Sequence, residues 1–208
     1  MIRNLADGQR GFTSNAFLVT GRSVTSDGDA VEDDPGEGRR VLVDPGSEFD
    51  VVAAVERHVD DLDAVVLTHT HPDHVGNTEA VVEAFDVDVR GFDPGHRLVD
   101  HRLADGDTVE LGTHEYDVLH TPGHKEDHVC LHSPDAGVLF AADLVFAGGS
   151  FGRTDLPEGD RDVLVESIDR VLETVGPGLR AMHTGHGPSV TDDPYSDIKL
   201  SARAARRM

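Results

Sequence analysis

The feature that most constrains the fold of this chain is a dense group of histidines and a carboxylate between a strand-like and a helix-like segment. Four potential metal ligands fall within six positions: His69, His71, Asp73 and His74. They follow the apolar run Ala64–Leu67, which predicts a buried strand, and they open a segment of helical period. Residues two apart project to the same side of an extended chain, so His69 and His71 are expected to face one point. Asp73 and His74 lie where the chain turns into the helix.

Imidazole and carboxylate donors at this density suit Zn²⁺, or iron or manganese in related geometry. The alternative is a polar loop that carries histidines by chance. With 13 histidines in 208 residues, three of them within six positions beside a carboxylate make that alternative improbable. The run therefore predicts a metal site at the end of a strand.

Further candidate ligands follow later apolar runs. His124 ends the sequence HTPGH after a predicted strand at 116–119, and Asp143 follows the run that begins at Val138. His186 lies in TGHGP, after a short strand expected near Leu179. Loops at strand ends commonly carry binding residues because a rigid scaffold holds them. We therefore expect these residues to contribute to the same kind of site.

Short apolar runs alternate with longer segments of helical period, which is typical of an α/β layered domain. Strands are predicted at 17–19, 41–43, 64–67, 116–119, 129–131 and 138–140, and helices at about 48–58, 75–84, 161–175 and from about 197 onward. The segment 25–39 is rich in Asp, Glu and Gly, so it is interpreted as an acidic surface loop between two strands. A length of 208 residues predicts one domain, 1–208.

The charge is strongly acidic: 40 Asp and Glu against 18 Lys and Arg give a formal net charge of −22. Such a surplus repels itself and disfavours the compact state unless salt screens it. The carboxylates are scattered along the whole chain, which favours adaptation to a salt-rich cytoplasm over the alternative, an acidic interaction surface.

Raising KCl from about 0.1 M toward molar concentration is therefore expected to raise the melting temperature steeply, because the screening length falls from about 10 Å to about 3 Å. Thermal melts followed by circular dichroism check this. An uncharged osmolyte at matched osmolality is the control, and a melting temperature indifferent to KCl would remove the halophilic interpretation.

Several classes of partner are disfavoured. No run approaches the roughly 20 apolar residues of a membrane span, and the start, Met1–Gly8, lacks a signal-peptide core, so a cytoplasmic location without membrane contact is expected. No basic stripe suggests nucleic acid. The expected partner is a small-molecule substrate, and the oligomeric state stays open. Cys130 is the only cysteine, and it is interpreted as a small buried side chain, with a catalytic thiol as the less favoured alternative.

The order His-x-His-x-Asp-His, Pro-Gly-His, a lone Asp and Gly-His-Gly resembles the metallo-β-lactamase superfamily over residues 69–186. The sequence VDPG at 43–46 also resembles the early strand and turn of that family. The resemblance implies an αβ/βα four-layer sandwich with two divalent metals at one edge of its sheets, zinc first and iron or manganese as alternatives. It implies one metal on His69, His71 and His124, another on Asp73, His74 and His186, and Asp143 bridging them together with a hydroxide.

Within the superfamily, residues 143–160 resemble the glyoxalase II-like hydrolases, particularly their short forms. The resemblance implies hydrolysis of a thioester of a small thiol carrier, with Asp73 orienting the hydroxide and accepting its proton. Two rivals stay open on the same residues. One is an iron-dependent persulfide dioxygenase, whose Gly-Arg-Thr-Asp is shared at 152–155, and the other is a lactonase or other ester hydrolase. An antibiotic role is disfavoured because Asp143 stands where true lactamases have cysteine or serine.

The chain departs from the glyoxalase II-like pattern directly after His124, where Lys125-Glu126-Asp127-His128 replaces Thr-x-Gly-His. Lys125 is a candidate substrate-binding residue, for which a solvated lysine among carboxylates is the favoured alternative. Arg153 is a second candidate, for which a buried loop anchor is the favoured alternative.

Asp44 is interpreted either as a turn-former or as the partner of a ligating imidazole. The remaining histidines are interpreted as surface or supporting residues, with His120 and His183 nearest to the ligands; they stand at 58, 96, 101, 114, 120, 128, 132 and 183.

Overall fold

The computed structural model describes residues 1–21 and 37–207. Contacts between Cα atoms divide the chain into two compact units, Met1–Arg102 with Val109–Glu115, and Leu103–Thr108 with Tyr116–Met208. The single domain over 1–208 stays a prediction. Of the predicted acidic loop at 25–39, residues 25–36 lie outside the described residues.

The first unit contains a six-stranded sheet in the order β1-β2-β3-β4-β5-β6. The first three strands pair antiparallel, and β3 to β6 pair parallel. The strands of this sheet are β1 (Ile2–Asn4), β2 (Phe17–Val19), β3 (Val41–Val43), β4 (Ala64–Val66), β5 (Val89–Gly91) and β6 (His101–Arg102); β7 (Thr108–Leu111) follows in the chain and is not part of this sheet. The helices are α1 (Val51–Glu56), α2 (Pro72–Val75) and α3 (Thr78–Phe85).

The central strands β3 and β4 are buried over their whole length, as strands of a parallel sheet covered on its faces are. Leu42 and Val65 belong to one apolar core with Val55 of α1 and Val81 of α3. The parallel register aligns Val43 with Val66, so both strands end at the same edge of the sheet. Asp44 and the histidine run therefore leave the sheet side by side.

The second unit is built on four strands in the order β11-β10-β9-β8. The pairs β8–β9 and β9–β10 are antiparallel, and β10–β11 is parallel. The elements are β8 (His114–His120), β9 (Val129–Ser133), β10 (Val138–Ala142), α4 (Arg161–Val175), β11 (Ala181–Thr184) and α5 (Pro194–Ala205).

Helix α4 covers this sheet with an apolar stripe at helical spacing that includes Leu164, Ile168 and Val171. These side chains share a core with Leu139 and Met182 of the strands. The Asp160 carboxylate caps the helix by accepting from the backbone N–H groups of residues 162 and 163 at 2.9 and 3.1 Å. The candidate ligands of this unit lie just after strands of the sheet: His124 after β8, Asp143 after β10 and His186 after β11.

All six predicted strands are present, and the helix predicted at 161–175 has those bounds. The helix predicted at 75–84 is wrong in extent, because α2 and α3 are separated at Gly76 and Asn77. There Gly46 donates to the carbonyl of His74 at 2.9 Å and accepts from the N–H of Asn77 at 2.9 Å, which bends the chain toward the turn after β3. No helix among residues 1–21 and 37–207 is long and apolar enough to cross a membrane.

Candidate metal centre

The first unit gathers the histidine run at the end of β4. His69 Nε2 lies 3.1 Å from His71 Nδ1, and the ring centroids of His69 and His74 are 4.0 Å apart. The spacing of two therefore brings His69 and His71 together as expected. Pro72 occupies the first turn of α2, where its missing N–H costs nothing, and starts the turn that carries Asp73 and His74.

Asp44 is the support of this cluster. It is buried, and its φ of 52° lies in the left-handed region that Asp tolerates in a tight turn. Its carboxylate accepts from Thr68 N at 2.8 Å and from Thr68 Oγ1 at 2.6 Å, and it lies 2.9 Å from His74 Nδ1. A proton on Nδ1 donated to the carboxylate leaves the Nε2 lone pair of His74 for a metal. Of the two interpretations of Asp44, these contacts favour partner of a ligating imidazole.

Asp73 stands beside this cluster. Its Oδ2 atom lies 4.0 Å from His74 Nε2, and its side chain is 13% exposed. Its backbone carbonyl accepts from Ser14 N at 3.1 Å, which fixes the start of the turn. The carboxylate thus combines access to solvent with proximity to the imidazole nitrogen that faces away from Asp44.

The second unit gathers its three candidate ligands around one oxygen atom. Asp143 Oδ2 lies 3.4 Å from His124 Nε2 and 3.5 Å from His186 Nε2. Asp143 follows β10 directly, after Ala142 with a φ of 44°. One carboxylate oxygen within reach of two imidazoles is the arrangement that a bridging ligand needs.

The loop after Asp143 supports His124 through its backbone. His124 Nδ1 donates to the carbonyl of Arg153 at 2.8 Å, which directs Nε2 toward Asp143. The loop passes close to Asp143 at Gly152, where a Cβ atom would lie 1.9 Å from the carbonyl oxygen of Asp143, so this position requires glycine. The Arg153 side chain itself is 68% exposed and pairs with Asp155 at 2.9 Å, so its interpretation as a buried anchor is wrong. Its contact with substrate stays a prediction.

Among the histidines interpreted as surface or supporting residues, His128 is a supporting one. It is fully buried, and its Nε2 accepts from the backbone N–H of Asp143 at 3.2 Å. Its Nδ1 lies 2.8 Å from Thr121 Oγ1, which in turn donates to Cys130 Sγ at 3.4 Å. These contacts set a neutral ring that donates from Nδ1 and accepts at Nε2. The one signal in the sequence was its place directly before the buried strand β9.

The other side chains near the ligands have structural contacts. Burial raises the pKa of Cys130 to about 12, against the lowering effect of Thr121, so the thiol stays protonated and the catalytic alternative is disfavoured. His120 Nε2 lies 2.7 Å from the carbonyl of Glu126. The ring of His183 packs 5.0 Å from that of Phe140, and burial lowers its pKa to about 4.

Lys125 belongs to a partly buried ion-pair cluster. Its Nζ lies 2.7 Å from Glu158 Oε2 and 3.4 Å from Asp127 Oδ1. Burial by itself lowers the pKa of Lys125, but the two carboxylates outweigh it and raise the pKa above its usual value. The residues that replace the family's usual turn therefore form their own local network. A contact of Lys125 with substrate stays a prediction.

The donors that each unit gathers suit divalent metal ions. In the first, His69 Nε2 lies 3.1 Å from His71 Nδ1, and Asp73 Oδ2 lies 4.0 Å from His74 Nε2. In the second, two imidazole nitrogens share one carboxylate oxygen. In both, a hydrogen bond at Nδ1 of one histidine turns its Nε2 toward the cluster. Nitrogen and oxygen donors without thiolate suit zinc, iron or manganese.

Comparison with known proteins agrees with this chemistry. A family model described as metallo-beta-lactamase superfamily matches residues 30–193. The hydroxyacylglutathione hydrolase of Rhizobium meliloti (strain 1021) is 34% identical over 181 residues, which cover 81% of this chain and 67% of that protein.

Solved structures show the same fold. The crystal structure of TTHA1623 in a di-iron-bound form has 30% identity and a TM-score of 0.70, and the match covers 98% of this chain and 97% of that one. The BLEG-1 B3 metallo-beta-lactamase has 27% identity and a TM-score of 0.70, with 94% and 99% covered. The predicted fold is thereby confirmed.

Proposed function

Because this chain belongs to the metallo-beta-lactamase superfamily and is a metal-dependent hydrolase, we propose that it cleaves a thioester of a small thiol carrier. The observation that carries the proposal is Asp143, whose Oδ2 lies within 3.5 Å of two imidazole nitrogens. The hydroxyacylglutathione hydrolase at 34% identity supports the choice of a thioester among the bonds that such a site can hydrolyse. We also propose that the protein acts in a salt-rich cytoplasm, because its net charge is −22.

The proposed centre holds two divalent metals, zinc first. One would be held by His69, His71 and His124, and the other by Asp73, His74 and His186, and Asp143 would be a ligand of both. The support is that each unit by itself clusters its members of this set, and that an oxygen partner holds the Nδ1 atom of His74 and that of His124. Histidines held in this way present Nε2 in one tautomer.

Dications held by these residues would supply a hydroxide near neutral pH and polarise the carbonyl of the substrate. The side chains of the protein position the reacting groups. Asp73 orients the nucleophile and accepts its proton, because its carboxylate is partly exposed and lies 4.0 Å from His74 Nε2. Asp44 keeps His74 in the ligating tautomer, and His128 holds the backbone of Asp143.

The main rival is an iron-dependent persulfide dioxygenase, which the shared sequence at 152–155 favours. A lactonase or another ester hydrolase is the second rival, since a carbonyl next to oxygen or to sulfur meets the same nucleophile. A dioxygenase needs one redox iron with open positions, whereas the proposed hydrolase needs both metals. This difference makes the candidates separable by experiment.

The test has two arms. In the first arm, zinc-loaded protein is incubated anaerobically with an S-lactoyl thioester, and thiol release is followed with a chromogenic disulfide. Hydrolysis of a lactone is assayed in parallel. Iron-loaded protein is offered a thiol persulfide while dissolved oxygen is recorded. We expect thiol release, and a loss on the order of 10² or more in its rate when His74 is replaced by Ala. Oxygen consumption without thioester turnover would overturn the proposal in favour of the dioxygenase.

A further inference from the structure

We infer that a preformed pocket beside His186 binds the thiol portion of the substrate and selects carriers that are apolar and uncharged near the sulfur. The pocket has a volume of about 300 Å³ and is lined by Phe146, Ala147, Ser150, His186, Gly187 and Pro188. That a thioester is the substrate rests on the proposed function. The selectivity for an uncharged ligand rests on the pocket alone.

The pocket adjoins the candidate centre through His186. The imidazole of this residue lines the pocket, and its Nε2 lies 3.5 Å from Asp143 Oδ2. On the other side, the ring centroid of Phe146 lies 6.3 Å from that of His186. A ligand in this pocket therefore contacts both an aromatic ring and a candidate metal ligand.

One wall of the pocket is a short loop that helix α5 holds in place. Within the loop, Phe146 N donates to the carbonyl of Ser150 at 2.9 Å. From α5, Asp197 Oδ2 accepts from Gly148 N at 3.0 Å, and Ser201 Oγ donates to the carbonyl of Ser150 at 2.8 Å. Because these bonds already fix the loop, little conformational entropy is lost when a ligand binds.

The facing wall is fixed as well. Gly185 N donates to the carbonyl of Ala142 at 2.8 Å, which ties this wall to the end of β10. Thr184 Oγ1 lies 2.8 Å from the carbonyl of His186 and 3.3 Å from that of Pro188. Hydrogen bonds thus hold both walls of the pocket, so its lining presents a fixed pattern of polarity to a ligand.

The lining has no permanently cationic side chain. None of its six described residues is Lys or Arg, and the carboxylate of Asp197 binds the loop from α5. An anionic ligand group placed against Phe146 and Pro188 would lose hydration without a cationic side chain of the lining to pair with. Phe146, Ala147 and Pro188 instead offer apolar surface, and Ser150 offers one hydroxyl.

Polarity also assigns which half of the thioester enters. A 2-hydroxyacyl group carries a hydroxyl and a carbonyl on very few carbons, so its burial needs several hydrogen-bond partners. The methylene groups next to the sulfur of a thiol carrier need none. The apolar lining therefore suits the thiol portion, and it disfavours a carrier such as glutathione, whose two carboxylates would find no Lys or Arg side chain in the lining.

The test measures binding without turnover, using S-butyl thioethers, which cannot be hydrolysed. Metal-loaded protein is titrated calorimetrically with S-butyl-N-acetylcysteamine, which is uncharged, and with S-butylglutathione. Both titrations are run in about 1 M KCl, where screening within about 3 Å removes the long-range repulsion of the acidic surface. We expect the uncharged ligand to bind at least about tenfold more tightly, a difference of about 1.4 kcal/mol.

Two variants assign the selectivity to the pocket. Phe146→Ala is expected to weaken the uncharged ligand about tenfold and to leave S-butylglutathione unchanged, whereas Phe146→Leu keeps apolar surface and should retain the preference. Ser150→Lys is expected to strengthen S-butylglutathione. Thr174→Lys, at an exposed position of α4, makes the same change in net charge and should have no such effect.

Equal affinity for the two ligands, or a preference that survives Phe146→Ala, would overturn the inference. Failure of the proposed function is a separate outcome. If no thioester is hydrolysed but the uncharged thioether is still selected through Phe146, the proposed reaction is wrong and the pocket stands. If thioesters are hydrolysed without this selectivity, the reaction stands and the pocket assignment falls.

Discussion

Replacing Asp143 with Asn is expected to lower kcat/KM for an S-lactoyl thioester by a factor on the order of 10³, because the shared ligand loses its charge. The Asp143 carboxylate is buried, with Oδ2 3.4 Å from His124 Nε2 and 3.5 Å from His186 Nε2. The amide preserves the volume of the side chain, so packing should not change. The measurements are steady-state rates and metal content by elemental analysis, with the metal expected to fall from about two per chain toward one.

Asp135→Asn is the matched control, since it makes the same chemical change at an exposed position. It should leave the rate and the metal content unaltered. His186→Ala should also lower the metal content toward one per chain while keeping the fold. If either Asp143→Asn or His186→Ala binds metal as well as the parent protein does, the proposed ligand set is wrong.

The local parts of this centre were predictable from the sequence. The spacing of His69 and His71 indicates a shared direction in an extended chain, and the rings do lie together. The helix at 161–175 followed from a sustained apolar period, with Asp160 as its cap. In both cases the cause acts over a few residues, so the sequence displays it directly.

The supports were not predictable with the same certainty, because they depend on contacts between distant positions. Asp44 and His74 are 30 residues apart, and the turn-forming interpretation of Asp44 was equally consistent with the sequence. The hydrogen bond between His128 and the Asp143 N–H forms because the pairing of β9 with β10 brings these two positions side by side. Arg153 is the reverse case, since its backbone carbonyl supports His124 while its side chain lies exposed.

Among the described residues, the strands without a predicted counterpart are β1, β5, β6 and β7, and three of them share a physical cause. β1, β6 and β7 carry polar residues at partly or fully exposed positions, so they form no apolar run. Their pairing comes from backbone hydrogen bonds to strands that are already in place, a tertiary effect that overrides weak local propensity. None of these strands carries a candidate ligand, so missing them did not affect the prediction of the site.

The two candidate clusters are built on one principle: a ligand is aimed by an oxygen or nitrogen atom of a neighbouring segment. Asp44 holds His74, the carbonyl of Arg153 holds His124, and His128 holds the backbone of Asp143. Such supports commonly change metal affinity or activity by 10- to 100-fold when removed. His128 is the most informative of them, because it contacts the shared ligand without being a ligand itself.

Replacing His128 with Ala is therefore expected to weaken metal binding by about 10- to 100-fold, and thioester turnover at limiting metal should fall with it. Without the ring, the Asp143 N–H has no acceptor from His128. The strained turn at Ala142, whose φ is 44°, then loses this stabilising hydrogen bond. Zinc affinity is measured by competition with a chromophoric chelator, which reports binding without any assay of turnover.

Removing a buried ring also leaves a cavity, so the control must do the same. His132→Ala is this control. His132 is buried, as His128 is, and it lies in β9, where it pairs with Asp117 of β8. Both variants should lower the melting temperature, but only His128→Ala should weaken zinc binding. His128→Gln should restore much of the affinity, because the glutamine side chain can accept at the position of Nε2. Equal zinc affinity in the parent and His128→Ala, or equal losses in the two alanine variants, would show that His128 fills space and does not position Asp143.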